Sequence, residues 1–115
     1  MRKILLVDND ITFIWGLKKY LQRRGYAVET AATLAEAREM IKQEAPLLIC
    51  SDLCLPDGSG LELLAEVRTC NKDTPFIIAS CYEKDDYEQE ALQHGVTICM
   101  DKIKSALLKD KLVEY

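Results

Sequence analysis

Leu47-Leu48-Ile49-Cys50-Ser51-Asp52-Leu53-Cys54-Leu55-Pro56-Asp57-Gly58-Ser59-Gly60 is the stretch that decides the fold of this 115-residue chain. Residues 47–51 form a continuous apolar run, as expected of a strand buried on both faces of a parallel sheet. The run ends at the carboxylate of Asp52 and opens into a turn rich in Pro and Gly. That places Asp52 at the carboxyl end of a strand, where open α/β sheets bind their ligands.

The same pattern recurs on either side. Lys3-Ile4-Leu5-Leu6-Val7 runs into Asp8-Asn9-Asp10, Pro75-Phe76-Ile77-Ile78-Ala79 into Ser80, and Thr97-Ile98-Cys99-Met100-Asp101 into Lys102. Four strand ends therefore offer acid, acid, hydroxyl and amine, a set suited to a metal ion and a phosphoryl group. Strands are expected at 3–7, 27–31, 47–51, 75–79 and 96–100. A helix over 10–24 is capped by Asp10, ends at Gly25, and turns Ile11, Ile14, Leu17 and Leu21 inward. Thr33-Leu34-Ala35-Glu36 is a capping box for a helix to about residue 44 with Leu34, Ala37, Met40 and Ile41 inward. Ser59-Gly60-Leu61-Glu62 is a second, for a helix that buries Leu61, Leu64 and Val67. A weaker, highly charged helix over 82–94 ends at Gly95, and a last one covers about 104–114. This (βα)5 alternation predicts one α/β domain over 1–115, a parallel sheet covered on both faces by right-handed crossovers.

Composition narrows the function. Charged residues make up 30% and the net charge is −4, with no Lys/Arg cluster beyond Arg23-Arg24, so direct nucleic-acid binding by this domain is not expected. No run of about 18 apolar residues exists to span a membrane. The five-residue apolar pattern at the N-terminus is too short for a signal-peptide core. The five cysteines, Cys50, Cys54, Cys70, Cys81 and Cys99, are odd in number and include no C-x-x-C. A zinc site has little support from their spacing, and a reducing cytoplasm is the expected setting.

Val7-Asp8-Asn9-Asp10, the segment Asp52 to Gly60, Ala79-Ser80 and Lys102 together resemble the receiver (response regulator) domain of two-component signalling, over essentially the whole chain. The resemblance implies a flavodoxin-like three-layer sandwich with a five-stranded parallel sheet of order 2-1-3-4-5. It implies that Asp52 takes a phosphoryl group from a sensor histidine kinase or phosphotransfer protein. Mg2+ would be held by Asp8, Asn9, Asp52 and the backbone carbonyl of Cys54. Lys102 and Ser80 would contact the phosphoryl oxygens, and the side chains of Cys54 and Tyr82 would set how easily water reaches the acyl phosphate. The face from the fourth to the fifth helix would then switch, acting on a downstream effector domain or protein, or pairing two copies in a phosphorylation-dependent homodimer. The domain would modify and dephosphorylate itself without turning over a substrate. The physical case runs alongside: a carboxylate approaching phosphorus is repelled by the phosphoryl oxygens, and a bound cation and an ammonium reduce that repulsion.

Three positions depart from the family pattern. Asn9 stands where a second acid is usual, which predicts weaker Mg2+ binding; Asp10 is expected to cap the helix instead. Cys99 stands at the switch position usually held by an aromatic residue, with Tyr82 the nearest substitute. Ile103 replaces the proline that usually follows the lysine, so a trans bond is expected. Plainer roles remain open: Asp8 as a helix cap, Asp52 as a strand-end acid, Ser80 as a turn residue, Lys102 as a surface lysine. The competing functions are a pseudo-receiver that binds proteins without phosphorylation, and a small flavin- or nucleotide-binding protein. The latter lacks a glycine-rich phosphate loop after the first strand. His94 is assigned no chemistry. Whether the chain acts alone or belongs to a larger regulator is open, as are its kinase and output.

Overall fold

A computed structural model describes residues 3–82 and 86–102. In chain order the elements are β1 (Ile4–Val7), α1 (Ile11–Arg23), β2 (Val28–Ala31), α2 (Leu34–Gln43) and β3 (Leu48–Asp52). There follow the short strands β4 (Cys54–Leu55) and β5 (Gly58–Ser59), α3 (Gly60–Cys70), β6 (Phe76–Ser80), α4 (Glu88–Gln93) and β7 (Ile98–Asp101). The main sheet is parallel with order β2-β1-β3-β6-β7. This is the expected 2-1-3-4-5 arrangement, with two unexpected short strands added. These pair antiparallel, Cys54 with Ser59 and Leu55 with Gly58, and turn the segment after Asp52 into a small hairpin.

Alternation along each strand supplies two core layers. Leu5, Val7, Ile49, Phe76 and Ile78 pack with Leu34 and Ala37 of α2, Leu63, Leu64 and Val67 of α3, and Ala91 of α4. Ile4, Leu6, Leu48, Cys50, Ile77 and Ala79 face the other way, onto Leu17 and Leu21 of α1. Helices thus cover both faces. Each fully buried Leu or Ile contributes about 1.5–3 kcal/mol of transfer free energy. Among the described residues no helix is long and apolar enough to cross a membrane.

Local chemistry sets the helix ends. Asp10 accepts the Phe13 N–H at 3.1 Å and Thr33 Oγ1 accepts the Glu36 N–H at 3.1 Å. Ser59 and Glu62 form a reciprocal box: Ser59 caps the first turn and Glu62 Oε2 accepts the Ser59 N–H at 2.8 Å. Gly25 ends α1 at φ +91°, where any side chain would be strained.

Four expectations need correction. Ile11 is 83% exposed: it is the first residue beyond the cap and projects away from the sheet, so the buried stripe begins a turn later. On α3, Leu63 is fully buried while Leu61 is only partly so. The helix expected over 82–94 is reduced to Glu88–Gln93, and Tyr87 at its N-cap makes no side-chain capping bond. β3 and β6 are each shifted one residue along from the expected span, making Asp52 and Ser80 the last residues of their strands. The expected helix over 104–114 and the bond to Ile103 lie outside the described residues.

Candidate functional site

Asp8 leaves β1 at the carboxyl edge of the sheet. Its Oδ1 accepts the Asp10 N–H at 2.9 Å, which fixes the turn into α1. Its Oδ2 lies 2.6 Å from Lys102 Nζ. Asp52 ends the neighbouring β3, with Oδ1 accepting the Leu53 N–H at 2.8 Å and Oδ2 3.5 Å from the same ammonium. One cation is therefore shared by two carboxylates from adjacent strands. The Lys102 ammonium also stands 4.7 Å from the centre of the Phe13 ring on α1. An ammonium over a ring face is attracted by its quadrupole.

The two acids are not equivalent. The Asp8 side chain is 3% exposed and that of Asp52 14%. Burial, followed by the charge on Asp8, pushes the Asp52 carboxyl above its ordinary value despite the opposing pull of Lys102. Burial works against the charge on Lys102, but contact with Asp8 and the fields of Asp8 and Asp52 outweigh it and raise its pKa. The cluster of two acids and one lysine still carries an uncompensated negative charge.

Ser80 ends β6, which pairs with β3 in the register Asp52 to Ala79. Its side chain is buried and its Oγ accepts the Tyr82 N–H at 3.0 Å. Tyr82 is 59% exposed, and its hydroxyl contacts the Cys54 thiol, which with burial pushes the phenol pKa up. These two side chains form an outer rim. Asn9 is exposed beside Asp8, and Asp10 is occupied as the α1 cap. Cys99 is buried in β7 with no aromatic bulk of its own. Cys50, two residues before Asp52, is buried, and its thiol is pushed up to about 12 by that burial and by Asp8.

The site's acids offer oxygen donors of the kind Mg2+ takes. Mg2+ needs only one or two carboxylates and keeps several waters. Asp8 Oδ2 matches that need, being buried, ion-paired with Lys102, and without a well-directed hydrogen bond.

Three residues support the site in ways the sequence did not reveal. Asp57 accepts the Leu34 N–H at 2.8 Å and the Ala35 N–H at 3.1 Å, tying the hairpin after Asp52 to the start of α2. Gly60 donates its N–H to Leu53 O at 2.8 Å, and a Cβ there would collide with the Asp52 backbone carbonyl. Phe13 lies beneath the ammonium. Only Gly60 had a local signal, its place in a Gly-rich turn.

Comparisons with known proteins identify the family. A family model described as the response regulator receiver domain matches residues 4–112. The photosynthetic apparatus regulatory protein RegA of Cereibacter sphaeroides is 31% identical over 101 residues, covering 88% of this chain and 55% of RegA. The chain thus spans about half the length of that relative. A CheY-like response regulator receiver domain protein from Methanospirillum hungatei superposes with a TM-score of 0.90 at 30% identity, covering 99% of this chain and 92% of that one. A response regulator protein from Burkholderia pseudomallei, described with a phosphorylated aspartic acid, a calcium ion and citrate, gives 0.83 at 28% identity over 93% of this chain and 65% of that one. On the reach of the family match and the likeness of the fold, this chain belongs to the response regulator receiver domains, signalling modules rather than classical enzymes.

Proposed function

We propose that this domain accepts a phosphoryl group on Asp52. The observation that carries the reading is that, of two carboxylates sharing the Lys102 ammonium, only Asp52 retains appreciable exposure. Its raised pKa also makes its carboxylate more basic, hence more nucleophilic, than that of an ordinary Asp. A carboxylate oxygen of Asp52 bonds to phosphorus as the nitrogen–phosphorus bond of a phosphohistidine breaks, and the kinase or phosphotransfer histidine leaves. Lys102 neutralises phosphoryl oxygens as a point charge, and the Ser80 hydroxyl turns to donate to one of them. When bound by Asp8, Asp52, the Asn9 amide and the Cys54 carbonyl, Mg2+ supplies charge neutralisation between the acceptor and the incoming group. The phosphorylated aspartic acid and calcium ion of the Burkholderia pseudomallei protein support the assignment.

The acyl phosphate adds about −1.5 to −2 charge to a site already negative. That charge biases the β6–α4 region and, through it, a downstream effector domain or a second copy of the chain. Exposed Tyr82 and Cys54 lie over the approach of water, so Tyr82→Ala should shorten the lifetime of the modified form; an unchanged decay rate would remove Tyr82 from that role. Asn9→Asp should bind Mg2+ more tightly in a titration followed by NMR. Equal affinity would mean Asn9 does not weaken the metal site.

The decisive experiment is incubation with acetyl phosphate and Mg2+, or with a partner kinase, followed by mass spectrometry of wild type and Asp52→Asn. Modification should map to Asp52 and vanish in the variant. A wild type that never takes up phosphate would favour the second reading, a pseudo-receiver that binds proteins without modification; Asn9 and the small Cys99 are what recommend it.

A further inference from the structure

Tyr87 is in an unexpected place. It holds the N-cap position of α4, where Ser, Thr, Asp or Asn would satisfy free backbone N–H groups, yet its side chain makes no capping bond. Instead the residue is buried, in the same apolar cluster as Ala91, Val96 and Cys99. Its hydroxyl is fully buried and, among the described residues, has no hydrogen-bond partner. A phenylalanine would fill the same volume without stranding a hydroxyl, and a buried tyrosine usually finds its O–H a partner. Burial pushes this phenol up to about 12, and the titratable groups that add to the shift are, in order, Cys99, Asp101, Glu88 and Asp52. The ring belongs to the core layer that Ala91 of α4 and Cys99 of β7 share.

We propose that Tyr87, anchored on α4, is the aromatic side chain whose rearrangement carries the state of Asp52 to the α4 surface, in place of a residue at position 99. The proposal rests on the receiver reading and adds the route of the response. Cys99 is too small to act as a lever but leaves the β7 wall open to a ring arriving from the other element. Tyr82 is 59% exposed and fills no enclosed pocket, whereas the Tyr87 ring is already buried. The connection is at hand. Ser80 Oγ accepts the Tyr82 N–H at 3.0 Å, fixing the backbone where it leaves β6. A Ser80 hydroxyl drawn toward a phosphoryl oxygen on Asp52 gives up that bond and frees the Tyr82 backbone. The Tyr87 ring then shifts, and its stranded hydroxyl gains a partner or water.

The test uses the protein labelled with 3-fluorotyrosine and observed by fluorine NMR, Tyr87→Phe serving to assign the resonance. Acetyl phosphate and Mg2+ are added to wild type and to Asp52→Asn, with phosphate on Asp52 counted by mass spectrometry in the same samples. The expected result is a Tyr87 resonance that moves in the wild type and stays in Asp52→Asn. Tyr87→Phe, which keeps the ring and hence the packing, should take up phosphate normally but lose the phosphorylation-dependent amide shifts of α4. Phosphate on Asp52 with an unmoved Tyr87 resonance would overturn the proposal and leave the receiver reading standing. So would α4 shifts in Tyr87→Phe equal to those of wild type. Absence of phosphate from Asp52 would bring down the receiver reading, and this proposal with it.

Discussion

The stretch from β1 to α3 and the stretch from β6 to β7 contribute to one sheet, but their helices are held very differently. In the first, every helix start is satisfied by side chains: Asp10 on α1, Thr33 and Asp57 on α2, Ser59 with Glu62 on α3. In the second, α4 is six residues long, begins on an uncapped Tyr87, and carries only Glu88 and Glu90 to complement its dipole. The two acids stand on the well-braced side. The hydroxyl and the aromatic ring belong to the lightly braced one. A site that must hold charge in place yet transmit its arrival has reason to be built this way, since responsive elements come from the low-stability end of a structure.

The comparison breaks most easily at Gly60. A Cβ there meets the Asp52 carbonyl, a backbone atom with little room to yield. Gly60→Ala should cost about 1–3 kcal/mol in urea unfolding and sharply reduce phosphate uptake by Asp52. Wild-type stability and uptake would mean that the hairpin does not brace the acceptor.

A smaller effect should separate the halves by pH. Hydrogen bonds from Leu34 and Ala35, the first of them dominant and burial opposing, hold the Asp57 carboxyl below its ordinary value. A group depressed in the folded state stabilises it above the unfolded pKa, about 3.9 for Asp. That contribution is lost as pH falls through the depressed folded value. Asp52, raised in the folded state, has the opposite sign: its contribution is present below the unfolded pKa and lost as pH rises through the folded one. Asp57→Asn should therefore flatten the acid limb of the stability curve in urea melts taken between neutral pH and below pH 3.9. An unchanged limb would count against the bracing of α2.

The least effect belongs to α4. Glu90→Gln removes one of its two first-turn acids and should lower stability by only about 0.3 kcal/mol, while hydrogen exchange quickens at α4 amides and not at those of α3. Exchange spread evenly over both helices would erase the contrast.

What could be read from the residues alone follows the same division. The strands declared themselves because parallel strands covered on both faces are apolar along their length. Caps are local contacts, so Asp10, Thr33 and Ser59 were visible in their own short segments. Asp8, Asp52 and Lys102 were legible because each stands at or just beyond a strand end, and the structure brings these three together. Asp57 was not, since it caps a helix more than twenty residues away in sequence, and no local pattern announces such a bond. Tyr87 was hidden inside a charged stretch whose periodicity suggested a longer helix. Its burial in the cluster that includes Cys99 of β7 is a tertiary matter that no local pattern announces.

The cysteines give this molecule an internal gauge of its own integrity. Cys54, Cys70 and Cys81 are exposed, whereas Cys50 and Cys99 are buried, and the Cys50 thiol stays protonated far above neutral pH. Because only a thiolate reacts quickly with an alkylating reagent, a sample would take up three labels while folded. The remaining two would be added only as the sheet opens, so a count of adducts over time reports the opening rate without any added probe.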